Sequence, residues 1–432
     1  MTLSLEDARA MKGDTSWFTH DRFGMFIHWG LYALGARHEW LKHNEEIPDD
    51  VYQKYFKHFD PDLYDPDVWA AAAEGAGMKY FVITTKHHEG FCLWDTALTD
   101  YKAPNTPAGR DLLRPMVDAF RAHNLRTGLY HSLIDWHHPD FPIDPLHPLR
   151  NHPDALKMNE TRDVARYHDY MHRQVRELLT RYGKIDVMWF DFSYPEKEEK
   201  GLKGKGHEDW GSEALLKMVR ELQPGIIVDN RLDLPPEMAD IHTPEQYQPT
   251  EWPQINGKPV YWEACQTFSG SWGYHRDEAT WKSPEQLVQM LVNSVALGGN
   301  LLMNVGPTAR GLFDDRATRA LEVYARWIAL HGRAIYGCTQ SEFTAPSGCR
   351  YTQKSNRLYL HIYEWPFLHL HLEGLADRVE YAQLLNDASE IRLSAPAYQE
   401  CVGFTRPPGT LTLELPVQKP DVTVPVVELF LK

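Results

Sequence analysis

Residues 79–91 read Lys-Tyr-Phe-Val-Ile-Thr-Thr-Lys-His-His-Glu-Gly-Phe. Tyr80–Thr84 is a short aromatic and β-branched run of the kind that forms a buried strand. Its continuation, Thr85-Lys86-His87-His88-Glu89-Gly90, is polar and chemically equipped. An apolar strand that ends in titratable side chains is the pattern of a barrel whose site lies at the C-terminal ends of its strands. The same pattern recurs on both sides of this stretch.

Seven further segments qualify as strands: Gly24–His28, Thr127–His131, Val187–Asp191, Ile226–Asn230, Ile241–Glu245, Val260–Glu263 and Leu301–Val305. Their polar ends are His28, the Tyr130-His131-Ser132 triplet, Asp191, Asp229-Asn230-Arg231, His242-Thr243-Pro244-Glu245, Glu263 and Asn304. Between them lie stretches of helical period, among them 66–74, 112–122, 164–182, 213–222 and 284–297. Strands alternating with helices predict a parallel sheet, and eight of them predict a closed (β/α)8-like barrel. The sixth, around Ile241, is the weakest of the set.

Beyond Gly332-Arg333 the period changes to two, in segments such as Arg357–Tyr363, Phe367–Leu372 and Val422–Leu431, with Pro407-Pro408-Gly409 marking a hairpin or loop. The expected organisation is a catalytic barrel over residues 1–337 followed by a small antiparallel β-sandwich over 338–432. A chain of 432 residues exceeds what one core usually supports, which agrees with two domains.

Composition narrows the partners. Sixty acidic residues against 45 basic ones give a formal charge of −15, which disfavours nucleic acid. No stretch of roughly 18 apolar residues predicts a membrane span. The first residues lack a signal peptide's basic start and apolar run, so a cytoplasmic location is expected. Cys92, Cys265, Cys338, Cys349 and Cys401 form no even framework and read as reduced thiols. Fourteen Trp, 21 Tyr and 22 His suit a hydroxylated ring ligand, since aromatic faces cover sugar C–H groups while imidazoles bond the hydroxyls.

Taken singly, these residues have ordinary alternatives. A histidine at a strand end is commonly structural, and a carboxylate such as Asp191 can cap the following helix. Adjacent His87 and His88 face opposite ways within a strand, so joint metal ligation requires the chain to have left it. Eight polar strand ends together are harder to assign to capping.

Phe23-Gly24-Met25-Phe26-Ile27-His28-Trp29-Gly30 and Lys86-His87-His88-Glu89-Gly90-Phe91 closely resemble segments of glycoside hydrolase family 29, the α-L-fucosidases. Trp189-Phe190-Asp191 resembles the segment that carries the family's nucleophile, and Gly298–Pro307 resembles its last-strand signature. Glu39-Trp40, Asn230-Arg231 and Trp272-Gly273-Tyr274 also match, so the resemblance spans roughly residues 15–335. Three positions depart from it: Glu89 where Asp is common, His131 where Tyr is frequent, and Phe192 where Gly is frequent.

The resemblance implies a retaining exo-glycosidase that removes terminal α-L-fucose from fucosylated glycans or glycosides, without metal or organic cofactor. Such chemistry needs a carboxylate nucleophile and a second carboxyl as acid and base. Asp191 is the expected nucleophile, with Arg231 to keep it ionised. Glu245 is the expected acid/base, and Glu263 is the alternative. Expected sugar contacts are His28, Glu39, His87, His88, Tyr130, His131 and Arg231, with Trp40, Trp189 and Trp272 as aromatic walls. An aromatic wall against the sugar's methyl group would discriminate by about 1–3 kcal/mol. Two rival readings are a non-catalytic fucose-binding protein and a metal-dependent barrel hydrolase using His28, His87 and His88. These three histidines do not fall in HxH or HExxH spacing, which argues against the latter. Oligomeric state stays open.

Overall fold

A computed structural model describes residues 4–394 and 407–432; Cys401 lies outside them. Seven parallel strands form one curled sheet: β1 (Phe23–Ile27), β2 (Tyr80–Lys86), β3 (Arg126–Ser132), β4 (Val187–Asp191), β5 (Ile227–Val228), β6 (Glu263–Thr267) and β7 (Asn300–Val305). Their order is β6-β7-β1-β2-β3-β4-β5. The predicted sixth strand, Ile241–Glu245, is a connecting run rather than a laddered strand, yet it bridges the gap between β5 and β6. Asp240 N–H donates to the Val228 carbonyl on one side at 2.9 Å. On the other, His242 N–H reaches the Tyr261 carbonyl at 2.9 Å and Cys265 N–H reaches the Pro244 carbonyl at 3.1 Å. Pro244 has no N–H to contribute, and Gln246 takes φ 51°, so a regular ladder cannot form here.

Outside the sheet run α1 (Pro66–Gly75), α2 (Leu113–Ala122), α3 (Val164–Arg181), α4 (Ser212–Leu222), α5 (Pro284–Ala296) and α6 (Asp315–His331). Their starts follow from local chemistry. Asp65, Asp163 and Asp314 accept N-terminal N–H groups, while Ser283 and Gln286 form a reciprocal cap with Pro284 at the first helical position. The outward faces of the strands bury Phe81, Ile83, Leu129, Met188 and Met303 against these helices.

Inward faces form a separate core. Trp17, Phe18, Tyr80, Val82, Val187, Ile227, Ile241 and Leu302 fill the lower barrel, and Phe26, Tyr130, Trp189 and Cys265 stand above them. Because strand side chains alternate, every second residue of β4, Val187, Trp189 and Asp191, climbs this inner face toward the open end. A carboxylate at the top of an apolar column is thereby held rigidly.

From Cys349 onward the strands form antiparallel sheets: β8 (Cys349–Lys354), β9 (Arg357–Ile362), β10 (His369–Leu372), β11 (Val379–Leu384), β12 (Arg392–Ser394), β13 (Leu411–Glu414) and β14 (Val426–Leu431). They make a four-stranded sheet, β8-β9-β14-β11, and a three-stranded one, β10-β13-β12, around Leu358, Leu360, Leu413 and Leu429. Trp327 on α6 donates to the Val424 carbonyl at 2.9 Å, tying this sandwich to the barrel far from the strand ends that carry the site.

Candidate active site

At the C-terminal ends of the strands lies a small pocket that opens to solvent. Phe26, His28, Trp40, His87, His88, Tyr130, Trp189, Asp191, Phe192, Glu245, Cys265 and Trp272 line it. Nine of these are residues expected from sequence, drawn from six different strand ends and their loops. Convergence from so many elements is what a barrel's open face provides.

Asp191 sits at its centre. The Tyr130 hydroxyl donates to Oδ2 at 2.7 Å, and Arg231 Nη1 donates to Oδ1 at 3.1 Å. Burial pushes the Asp191 carboxyl up to about 7; the Arg231 charge opposes that rise and the Glu245 charge adds to it. Arg231 also lies over the Trp189 ring, 4.8 Å from its centroid, and its Nη2 donates to Glu245 Oε2 at 3.0 Å. One guanidinium thus contacts both carboxyl groups. The two differ in access: the Asp191 side chain is 10% exposed and that of Glu245 39%.

The pocket histidines are neutral rather than charged. Asn304 Nδ2 donates to the Trp272 carbonyl at 2.6 Å, which turns Oδ1 toward His28 Nδ1 at 2.7 Å. Since that oxygen can only accept, the His28 proton sits on Nδ1 and Nε2 is left as an acceptor. Burial lowers the His28 pKa to about 3, so this neutral tautomer persists. Past Lys86 the chain has left β2, and both His87 and His88 reach the pocket, with ring centroids 4.0 Å apart. Burial holds both well below the ordinary imidazole range. His88 Nδ1 is 2.6 Å from Ser132 Oγ, and its Nε2 faces Asp191 Oδ2 at 3.8 Å. Among the described residues, no three His, Cys, Asp or Glu side chains are grouped to hold a metal ion.

Four placements refine the sequence reading. His131 neighbours Tyr130 in β3 and therefore faces the other way, into the helical layer, where its ring lies 6.0 Å from that of Trp94. It does not reach the pocket. Glu263 begins β6 instead of ending a strand, because residues 254–259 form a small hairpin and the expected strand is displaced toward the C-terminus. Its carboxyl lies in the lower barrel, where it accepts from the Tyr80 hydroxyl at 2.5 Å, outside the pocket lining. Glu39 stands behind Trp272, its Oε2 accepting from Trp272 N–H at 3.1 Å and Gly273 N–H at 2.8 Å. Arg231 acts on the two carboxyl groups from the pocket's edge, outside its lining.

Sequence reasoning passed over Phe26 and Cys265 as pocket residues, and over Asn304 and Ser132 as the partners that orient His28 and His88. The pleat was the available signal for Phe26, which lies two residues below His28 on the same face. Cys265 pairs with Glu245 across the closing bridge, which only the fold reveals. Phe192, noticed as a departure, has φ 80°, a left-handed conformation costing an L side chain roughly 1–2 kcal/mol.

The chain is similar to known proteins in both sequence and fold. The sequence profile of the family described as Alpha-L-fucosidase matches residues 4–333. Tissue alpha-L-fucosidase of Bos taurus is 29% identical over 382 residues, covering 81% of this chain and 75% of its own. Plasma alpha-L-fucosidase of Homo sapiens is 29% identical over 393 residues, covering 83% and 78%. Alpha-L-fucosidase isoenzyme 1 from Paenibacillus thiaminolyticus superposes with a TM-score of 0.90 at 46% identity, over 98% of this chain and 100% of that one. A GH29 α-L-fucosidase from Bacteroides thetaiotaomicron, trapped as a covalent intermediate with 2-fluoro-fucosyl fluoride, superposes at 0.82 and 28% identity, over 96% and 95%. With a profile match spanning the whole barrel and a close superposition on a solved α-L-fucosidase, the chain belongs to the α-L-fucosidases of glycoside hydrolase family 29.

Proposed function

We propose that this enzyme hydrolyses terminal α-L-fucosides with retention, by double displacement, Asp191 acting as nucleophile and Glu245 as acid then base. The observation that carries the reading is the Arg231 fork, which holds one buried and one accessible carboxyl group at the same pocket. Retaining glycosidases need two carboxyl groups about 5–5.5 Å apart, so that both serve a single anomeric carbon, and a shared guanidinium is consistent with such a pair. In the first step Asp191 attacks that carbon while Glu245 gives its proton to the departing glycosidic oxygen, and the C–O bond breaks. In the second, Glu245 takes a proton from water, whose oxygen displaces Asp191 and restores the starting anomer.

The division of labour follows exposure. A nucleophile benefits from a dry, fixed setting, whereas an acid/base must exchange its proton with solvent between turnovers. Neutral His28, His87 and His88 supply hydrogen-bond partners for sugar hydroxyls, and Trp40, Trp189 and Trp272 supply apolar walls. The relative captured with a 2-fluoro-fucosyl group supports a covalent fucosyl intermediate here as well. Following the first-formed product by proton NMR tests the scheme. α-L-Fucose appearing before mutarotation is expected; β-L-fucose appearing first would overturn it.

A further inference from the structure

Phe192 carries an aromatic ring on a turn that disfavours one. Its φ of 80° is a conformation that glycine adopts freely and phenylalanine does not. The surrounding chain enforces it. Ser193 Oγ donates to the Arg231 carbonyl at 2.7 Å, Trp210 Nε1 donates to Ser193 Oγ at 3.1 Å, and Tyr194 N–H donates to the Lys205 carbonyl at 2.8 Å. The Tyr194 hydroxyl is further bound to Asp144. Strain retained by so many clamps next to the reacting carboxylate is the kind that functional sites keep.

The clamps place the ring at the mouth of the pocket. Phe192 meets Trp40 at a centroid distance of 5.3 Å and His88 at 5.0 Å, and Trp40 meets Trp136 at 5.3 Å. Phe192 and Trp40 are half-buried, whereas His88 beneath them is buried, so the two aromatics keep faces toward solvent. Glu245 stands at the same mouth and is exposed. A leaving group protonated by Glu245 has to pass this rim, while the fucosyl unit lies below it.

We infer that Phe192 is a specificity-determining residue for the leaving group, forming with Trp40 an aromatic platform for a ring, either an aryl group or the next sugar. The inference rests on the double-displacement reading and deepens it. It predicts a preference for ring-bearing aglycones, arising from contacts beyond the scissile oxygen.

Fucosyl fluoride, whose leaving group is a single atom, separates the platform from the fucose pocket. Wild type, Phe192→Leu and Phe192→Gly would be compared on fucosyl fluoride and on a fucosyl disaccharide. The expected result is a ratio of disaccharide to fluoride kcat/KM that falls about five- to tenfold in both variants, the scale of one lost stacking contact. Equal losses on both substrates, or none on the disaccharide, would overturn the inference. Turnover of the fluoride also reports that each variant is folded. Failure of the wild type to release fluoride would instead refute the underlying glycosidase reading.

Discussion

Arg231, half-buried at the pocket's edge, donates to the buried Asp191 across 3.1 Å. The pair decides the charge of the group at the centre of the pocket. Burial raises the Asp191 pKa to about 7, so the guanidinium is what keeps an appreciable ionised fraction near neutrality.

The acid limb of the kcat/KM profile should therefore report Asp191 and lie near pH 7. Arg231→Met removes an opposite charge, disfavours the carboxylate and moves that limb to higher pH. Glu245→Gln removes a like charge and moves it to lower pH, read with an activated aryl fucoside that does not need a proton from Glu245. Movement of both variants in the same direction would contradict the assignment.

Leaving groups distinguish the two glutamates. Glu245→Ala should depress turnover of poor leaving groups by roughly 100-fold or more while sparing activated aryl fucosides. Glu263→Ala should show no such dependence, because its carboxyl lies in the lower barrel against Tyr80. A steep leaving-group dependence in the Glu263 variant would exchange their roles.

Glu263 has a different signature, in stability. Burial raises its pKa from 4.5 to about 7, so the folded protein holds a proton that the unfolded chain releases between those values. Its favourable contribution is complete below about pH 4 and is lost as pH rises through 7, a span worth about 3 kcal/mol. Glu263→Gln, which still accepts from Tyr80, should gain in Tm over wild type progressively from pH 5 to pH 8. A Tm difference independent of pH would refute the buried acid.

Asn304 should matter without touching substrate. Asn304→Ala frees His28 to place its proton on either nitrogen, and the Ki of fucose should rise about tenfold for one oriented hydrogen bond. Unchanged Ki would show that the His28 tautomer is set elsewhere.

Much of this arrangement was legible in the sequence, because a barrel strand writes its interior as alternate residues and its site at one end. Asp191 stands out as the polar end of an apolar strand, and the resemblance points to Tyr130 and Trp189, which alternation sets on the inner face with it. His131 departs from the expectation because a residue adjacent to Tyr130 in a strand points to the opposite face. Glu263 was misplaced because Val260-Tyr261-Trp262 has strand composition, while the strand itself is the less apolar Glu263–Thr267, buried on both faces. Asn304 orienting His28, Ser132 beside His88 and the strained turn at Phe192 depend on tertiary neighbours far apart in the chain, which no local pattern encodes.

The central claim is that Asp191 forms the covalent bond to the sugar. Asp191→Gly should lower aryl α-L-fucoside hydrolysis on the order of ten-thousandfold. Azide, entering the vacated space, should restore turnover and give β-L-fucosyl azide. Hydrolysis near the wild-type rate in that variant, or an azide product of the α configuration, would contradict the account.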